Sequence, residues 1–209
     1  EDSVWNAWIP WLYAKISQGE EKEVAKPWTS VMHMFGIFSW VIVMLAPEAI
    51  AILGPAKYRP AVWLIAPMVS GTLFRFYSYS YSALQNYYKR TQYVAAGTIG
   101  TMVLNVILNY VCILNFGYMA AAYTTAFSYI ILLLVQGILE HKITGMVIVP
   151  LRKTLLIAVV YGAINLLSMN LYETAWYFRY AVLILVVVAA AIALRKQMAA
   201  VLKMFKKRK

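Results

Sequence analysis

One side chain in this sequence stands where a charge is costly. Arg75 lies inside residues 61–88, AVWLIAPMVSGTLFRFYSYSYSALQNYY, apolar in its first half and alternating tyrosine with serine in its second. A helix turns about 100° per residue. That rotation puts Thr72, Ser78, Tyr79, Ser82 and Asn86 on the side of Arg75, with Ala66, Leu73, Tyr77 and Leu84 opposite. Arginine near a bilayer centre costs about 2.5–3.5 kcal/mol on insertion scales, and such residues face a bundle interior or aqueous cavity and mark pathways. A second position also satisfies the guanidinium. It sits about 15 residues, roughly 22 Å, from Pro60, so a tilted helix lets it snorkel to the headgroups. The chemistry on offer is polar contact along a path, not bond-making.

The remaining polar residues support that division. Thr98, Thr101, Asn105, Asn109 and Cys112 recur on one helical face. Asparagines in membranes commonly bond across helices, at about 0.6 kcal/mol each, so packing competes with substrate contact as their role. Ala120, Ala121, Ala122, Thr124, Thr125 and Ser128 make a small-residue surface, and Tyr161, Asn165 and Ser168 share a face. Close helix packing accounts for both. His33 is a lone histidine, and Glu48, just after Pro47, falls at an outer boundary. No Asp or Glu lies deep within an apolar run, and His33 and His141 lack metal-ligand spacing. There is no Ser/His/Asp set, paired carboxylate, metal cluster or Gly-rich phosphate loop. The expectation is a non-enzyme without cofactor or metal.

The elements that carry these residues read as membrane helices. The chain of 209 residues is 63% hydrophobic and 13% charged, against about 25% charged in soluble domains. Six long apolar runs occupy residues 28–53, 60–88, 93–114, 117–139, 154–172 and 176–194. Lipid requires each run to satisfy its own backbone hydrogen bonds, and none alternates as a barrel strand would. The fold class expected is all-α integral membrane, with six transmembrane helices after an N-terminal partial helix. Before them, Trp5, Trp8, Trp11 and Tyr13 suit a membrane–water boundary.

Loop charge sets the orientation. One side receives Lys15, Lys22, Lys26, Lys89, Arg90, Lys142, Arg152, Lys153 and the basic tail at 196–209, while the other receives Lys57, Arg59 and Arg179. The first side is cytoplasmic by the positive-inside rule. The net charge of +11 comes largely from that tail, which suits anionic lipids at the inner leaflet, and nucleic acid is not an expected partner. The single cysteine excludes a disulfide within the chain. The opening WNAWIPWLY reads as the end of a helix, so a C-terminal portion of a longer protein is expected.

Two stretches carry a family resemblance. APEAIAILGPAKYRPA resembles a signature of the polysaccharide transporter family, with Leu53, Gly54, Lys57 and Tyr58 in place. LNVILNYVCILNFGYMAAAYTTAFSYI is similar to a second, through Asn105, Leu108, Asn109, Phe116, Gly117, Ala121 and Ala122; Met119–Ala120 replaces the more usual Ile/Leu–Gly. The chain as a whole resembles helices nine to fourteen of a Wzx-type lipid-linked oligosaccharide flippase, of the MATE/MurJ-like exporter superfamily. The resemblance implies part of a two-lobe bundle in a bacterial inner (cytoplasmic) membrane, C-terminus cytoplasmic. Residues 1–17 would end a preceding membrane helix, 18–27 form a cytoplasmic loop, and 28–140 supply four helices of the C-terminal lobe. Residues 141–153 would be a cytoplasmic loop, 154–195 two trailing helices and 196–209 the tail. The implied function is translocation of undecaprenyl-pyrophosphate-linked oligosaccharide for O-antigen, capsule or exopolysaccharide biosynthesis, with the N-terminal lobe of the same polypeptide as partner. Arg75, Tyr79, Ser82, Asn105 and Asn109 are then the cavity candidates, Arg75 for pyrophosphate and Tyr79 for sugar stacking. The alternatives are a MATE-type multidrug/cation antiporter, which needs a deep titratable carboxylate or a sodium site, and a MurJ-like lipid II flippase.

Overall fold

Each of the six apolar runs folds as helix over its described residues, since only intrahelical bonds satisfy a lone backbone in an apolar medium. The computed structural model describes residues 2–145, 148–174, 176–189 and 192. They are about 90% helical and contain no strand. The long helices are α1 (Asp2–Ser17), α2 (Ala25–Met44), α3 (Ala46–Leu53), α4 (Val62–Tyr87), α5 (Thr91–Phe116), α6 (Ala120–Thr144) and α7 (Leu151–Ser168). Helix α8 follows at Trp176–Ala189. The basic tail and the end of the sixth run lie outside the described residues.

Four segments are long and apolar enough to cross a membrane: Glu21–Met44, Thr91–Phe116, Ala120–Thr144 and Leu151–Glu173. Helix α4 has the length, 26 residues or about 39 Å, but its Ser, Tyr, Gln and Asn residues dilute its hydropathy. The described part of α8 is shorter than a span. The first apolar run is two helices. The chain breaks at Leu45 (φ −91°, ψ 1°), and Pro47 opens α3, where its missing N–H costs no bond.

Helix α4 is the axis of the bundle, packing on α2, α5, α6 and α7. The apolar back seen opposite Arg75 is its core face: Ala66, Tyr77 and Leu84 are fully buried. Against α6 the approach is close enough that a Cβ on Gly71 would stand 3.1 Å from the Ala126 Cα. A polar seam joins α2 to α7. His33 Nδ1 meets Tyr161 Oη at 3.2 Å, and Trp40 Nε1 donates to Ser168 Oγ at 2.8 Å. Asn165 Nδ2 donates to Ser39 Oγ and to Ser70 Oγ of α4, each at 3.2 Å. Arg179 of α8 donates to Glu48 of α3.

Helix α1 packs its tryptophan stripe into the bundle. Trp5, Trp8, Leu12 and Ile16 are buried. Trp5 lies 5.8 Å from Trp28 and 5.1 Å from Phe76, and Phe76 stacks on Phe35 at 3.9 Å. The spacing of those four residues is a helix stripe, and its burial in an aromatic core removes a large apolar area from water.

Candidate functional site

Arg75 sits at the middle of α4, thirteen residues from Val62 and twelve from Tyr87, about 19 Å from either end. Its side chain is exposed. Nη2 donates to Tyr79 Oη at 2.8 Å, and Cζ lies 5.6 Å from the Tyr79 ring centroid. Residues four apart share a helix face, so the hydroxyl one turn on is the local acceptor for this guanidinium. Ser78 Oγ donates to the Arg75 carbonyl at 2.7 Å, and Ser82 Oγ to the Ser78 carbonyl at 3.4 Å. These serines give their protons to the helix and turn acceptor lone pairs outward.

The stripe forms one wall of an open cavity of about 680 Å³ lined by α1, α4, α5 and α6. Trp5 and Ile9 come from α1. Helix α4 adds Arg75, Ser78, Tyr79, Ser82 and Asn86, α5 adds Thr98, Thr101 and Asn105, and α6 adds Thr125, Ser128 and Tyr129. Among the described lining residues Arg75 carries the one formal charge. The rest are hydroxyls, amides, aromatic rings and aliphatic groups. Such a lining suits a ligand with an anionic end and a neutral, hydroxyl-bearing body.

Of the five residues singled out in the sequence, Arg75, Tyr79, Ser82 and Asn105 line this cavity and Asn109 does not. Asn105 and Asn109 are linked into a ladder between α5 and α6. Asn105 Nδ2 donates to Ser128 Oγ at 3.2 Å and to Thr125 Oγ1 at 3.4 Å, while Asn109 Nδ2 donates to Asn105 Oδ1 at 3.1 Å. Thr124 Oγ1 donates to Asn109 Oδ1. Asn105 therefore bridges helices while lining the cavity. Thr125 and Ser128, read as packing surface, face it too.

Below the cavity, at the cytoplasmic ends expected for α4 and α6, a second polar group was not legible. Gln85 Nε2 donates to Gln136 Oε1 at 2.8 Å and to its carbonyl at 3.0 Å, and Gln136 Nε2 donates to the Val94 carbonyl of α5 at 3.2 Å. Both glutamines are fully buried. One turn further on, Glu140 is also buried, accepting from Thr144 Oγ1 at 3.3 Å. The sequence reading put Glu140 just past the end of the fourth apolar run; α6 continues to Thr144 and folds it against the bundle. Its i, i+4 spacing from Gln136 was the available signal. Trp5 was missed as a wall because tryptophan near a chain end reads first as interfacial.

Among the described residues no group of three or more His, Cys, Asp or Glu could hold a metal. Comparison of the chain with protein-family models, curated proteins and solved structures finds no match.

Proposed function

We propose that this chain is the C-terminal part of a flippase of the bacterial cytoplasmic membrane, translocating undecaprenyl-pyrophosphate-linked oligosaccharide for surface-polysaccharide biosynthesis. One observation carries the reading: the single formal charge among the described cavity residues is a mid-helix arginine, set among hydroxyls, amides and aromatic rings. A guanidinium pairs with phosphate oxygens bidentately and stays charged at every physiological pH. The hydroxyl and amide groups of Ser82, Asn86, Thr98 and Asn105 supply partners for sugar hydroxyls, and Trp5, Tyr79 and Tyr129 supply faces for pyranose rings. A volume of about 680 Å³ lies in the range of small-molecule pockets and accommodates a headgroup and its first sugars. An N-terminal lobe of the same polypeptide completes the enclosure, as in transporters whose site lies between two repeats.

A second reading, the MATE-type antiporter, gains from one observation. The carboxylate that speaks for it is Glu140, buried near the C-terminal end of α6, where the sequence alone placed it outside the bundle. One experiment addresses both. The full-length parent gene is expressed in a strain lacking its own flippase, as wild type and with Arg75→Ala or Arg75→Lys at matched protein level. Surface polysaccharide is expected with wild type, lost with alanine and only partly recovered with lysine, which lacks the planar fork. Undiminished polysaccharide with alanine overturns the arginine's role. No restoration by wild type favours the antiporter.

A further inference from the structure

A serine or threonine inside a helix ordinarily gives its proton to the carbonyl three or four residues back. Most hydroxyls of the cavity do so. Ser78 and Ser82 donate to carbonyls of α4, Thr98 to the Val94 carbonyl at 2.8 Å and Ser128 to the Thr124 carbonyl at 2.8 Å. Two threonines of the same lining depart from this. Thr101 of α5 is only 7% exposed and lines the cavity, yet among the described residues its hydroxyl has no hydrogen-bond partner. Thr125 Oγ1 of α6 accepts from Asn105 Nδ2 at 3.4 Å, and among the described residues its own proton has no acceptor. Asn105 stands one turn from Thr101, so both threonines belong to one stretch of the wall that α5 and α6 form. A hydroxyl carries one proton and two lone pairs. The serines of α4 therefore turn lone pairs to the cavity, while the α5–α6 wall keeps two protons for what the cavity holds.

We infer that Thr101 and Thr125 are specificity-determining residues that donate to a carbonyl oxygen in the neutral body of the ligand, so that the cavity selects a sugar carrying an acyl substituent. This rests on Arg75 binding the anionic end, as proposed above. A sugar hydroxyl can donate, so the lone pairs of Ser78 and Ser82 already serve it. A carbonyl oxygen can only accept, and the α5–α6 wall is where hydroxyl protons remain to be given. Met102 and Leu132 also line the cavity and offer apolar surface to the carbon of an acyl group. The selection has a physical cause. A buried hydroxyl without a partner is costly, and a ligand oxygen removes that cost. A ligand without the carbonyl leaves both protons unpaired, which is how a site built to hydrogen-bond one group rejects the analogue that lacks it.

The test uses the full-length parent protein in lipid nanodiscs, titrated by calorimetry with N-acetylglucosamine 1-phosphate and with glucose 1-phosphate. The two probes share the anion and differ in the acetamido group. Wild type is expected to bind the acetylated probe about fivefold more tightly, the size of one neutral hydrogen bond. Thr101→Val keeps the shape and removes the hydroxyl; it is expected to bring both probes to the same affinity. Thr101→Ser returns the hydroxyl and is expected to restore the preference, and Thr125→Val to reduce it. Arg75→Ala is expected to lose both probes. No binding of either probe by wild type, or wild-type affinity in Arg75→Ala, overturns the anion-site reading and this inference with it. Equal affinity of wild type for the two probes, with both lost in Arg75→Ala, overturns this inference alone. So does a preference that survives in Thr101→Val, which would assign that hydroxyl to a bound water. Should Thr101→Val lose helicity, an undiminished preference in Thr125→Val refutes the inference in its place.

Discussion

Removing the Asn165 carboxamide should loosen the junction of α2, α4 and α7. Asn165 is fully buried, and its Nδ2 donates to Ser39 Oγ and Ser70 Oγ, each at 3.2 Å. Interhelical hydrogen bonds in membranes contribute about 0.6 kcal/mol each, so losing both costs about 1.2 kcal/mol, about an eightfold shift in the unfolding equilibrium. Two features bear on that figure. Ser39 keeps its own donor bond to the Gly36 carbonyl at 2.7 Å, so truncating Asn165 strands no serine proton there. Among the described residues Asn165 Oδ1 is a buried acceptor without a partner, and its removal offsets part of the loss. The assay is reversible unfolding in mixed micelles for Asn165→Ala, Ser70→Ala and the double variant, with a coupling of about 0.6 kcal/mol expected between the two sites. An Asn165→Ala unfolding curve superimposable on wild type, or strict additivity of both single changes, would refute the bridging argument.

Two further outcomes follow from the α3–α8 ion pair and the loops. Arg179 is buried and paired with Glu48; Glu48→Ala should destabilise by about 3 kcal/mol because it leaves a buried guanidinium unpaired, whereas Glu48→Leu combined with Arg179→Met should cost less. The same unfolding assay checks this, and a double variant worse than the single one would contradict it. Single cysteines at Tyr58 and Thr91, both exposed, in a Cys112→Ser background should label in intact cells from outside and only after permeabilisation, respectively. Equal labelling of both from one side would overturn the orientation drawn from loop charge.

The face of α4 was legible because the stripe from Thr72 to Asn86 follows the helical repeat, a property of the local chain. Three of the five candidate residues, Arg75, Tyr79 and Ser82, share one cavity wall for that reason, and Asn105 meets them there because α5 packs beside α4. Asn109 belongs to the same α5 stripe, but the wheel gives direction around a helix and not the position along it where a neighbour closes over. Thr124 of α6 reaches Asn109 and takes up its carbonyl oxygen, and the cavity ends at Asn105. Glu140 escaped for a related reason. Hydropathy ends a run at the first charge, whereas backbone hydrogen bonding carried α6 on to Thr144.

By itself the sequence determined that this chain is helical and apolar, that most of its basic residues fall in alternate loops between the runs, and that an arginine lies among hydroxyls on one of them. All of these are set within a helix or a loop, by backbone hydrogen bonds that close within a few residues and by side chains that share a turn. Tertiary structure alone decided that α4 stands at the centre, that its apolar back meets the core while its polar stripe faces a cavity, and that Trp5 crosses from α1 to touch Tyr79. Those depend on how close two helices come and at what height, which shape complementarity among Gly71, Ala126, Trp28 and Phe76 settles and no periodicity along one helix encodes.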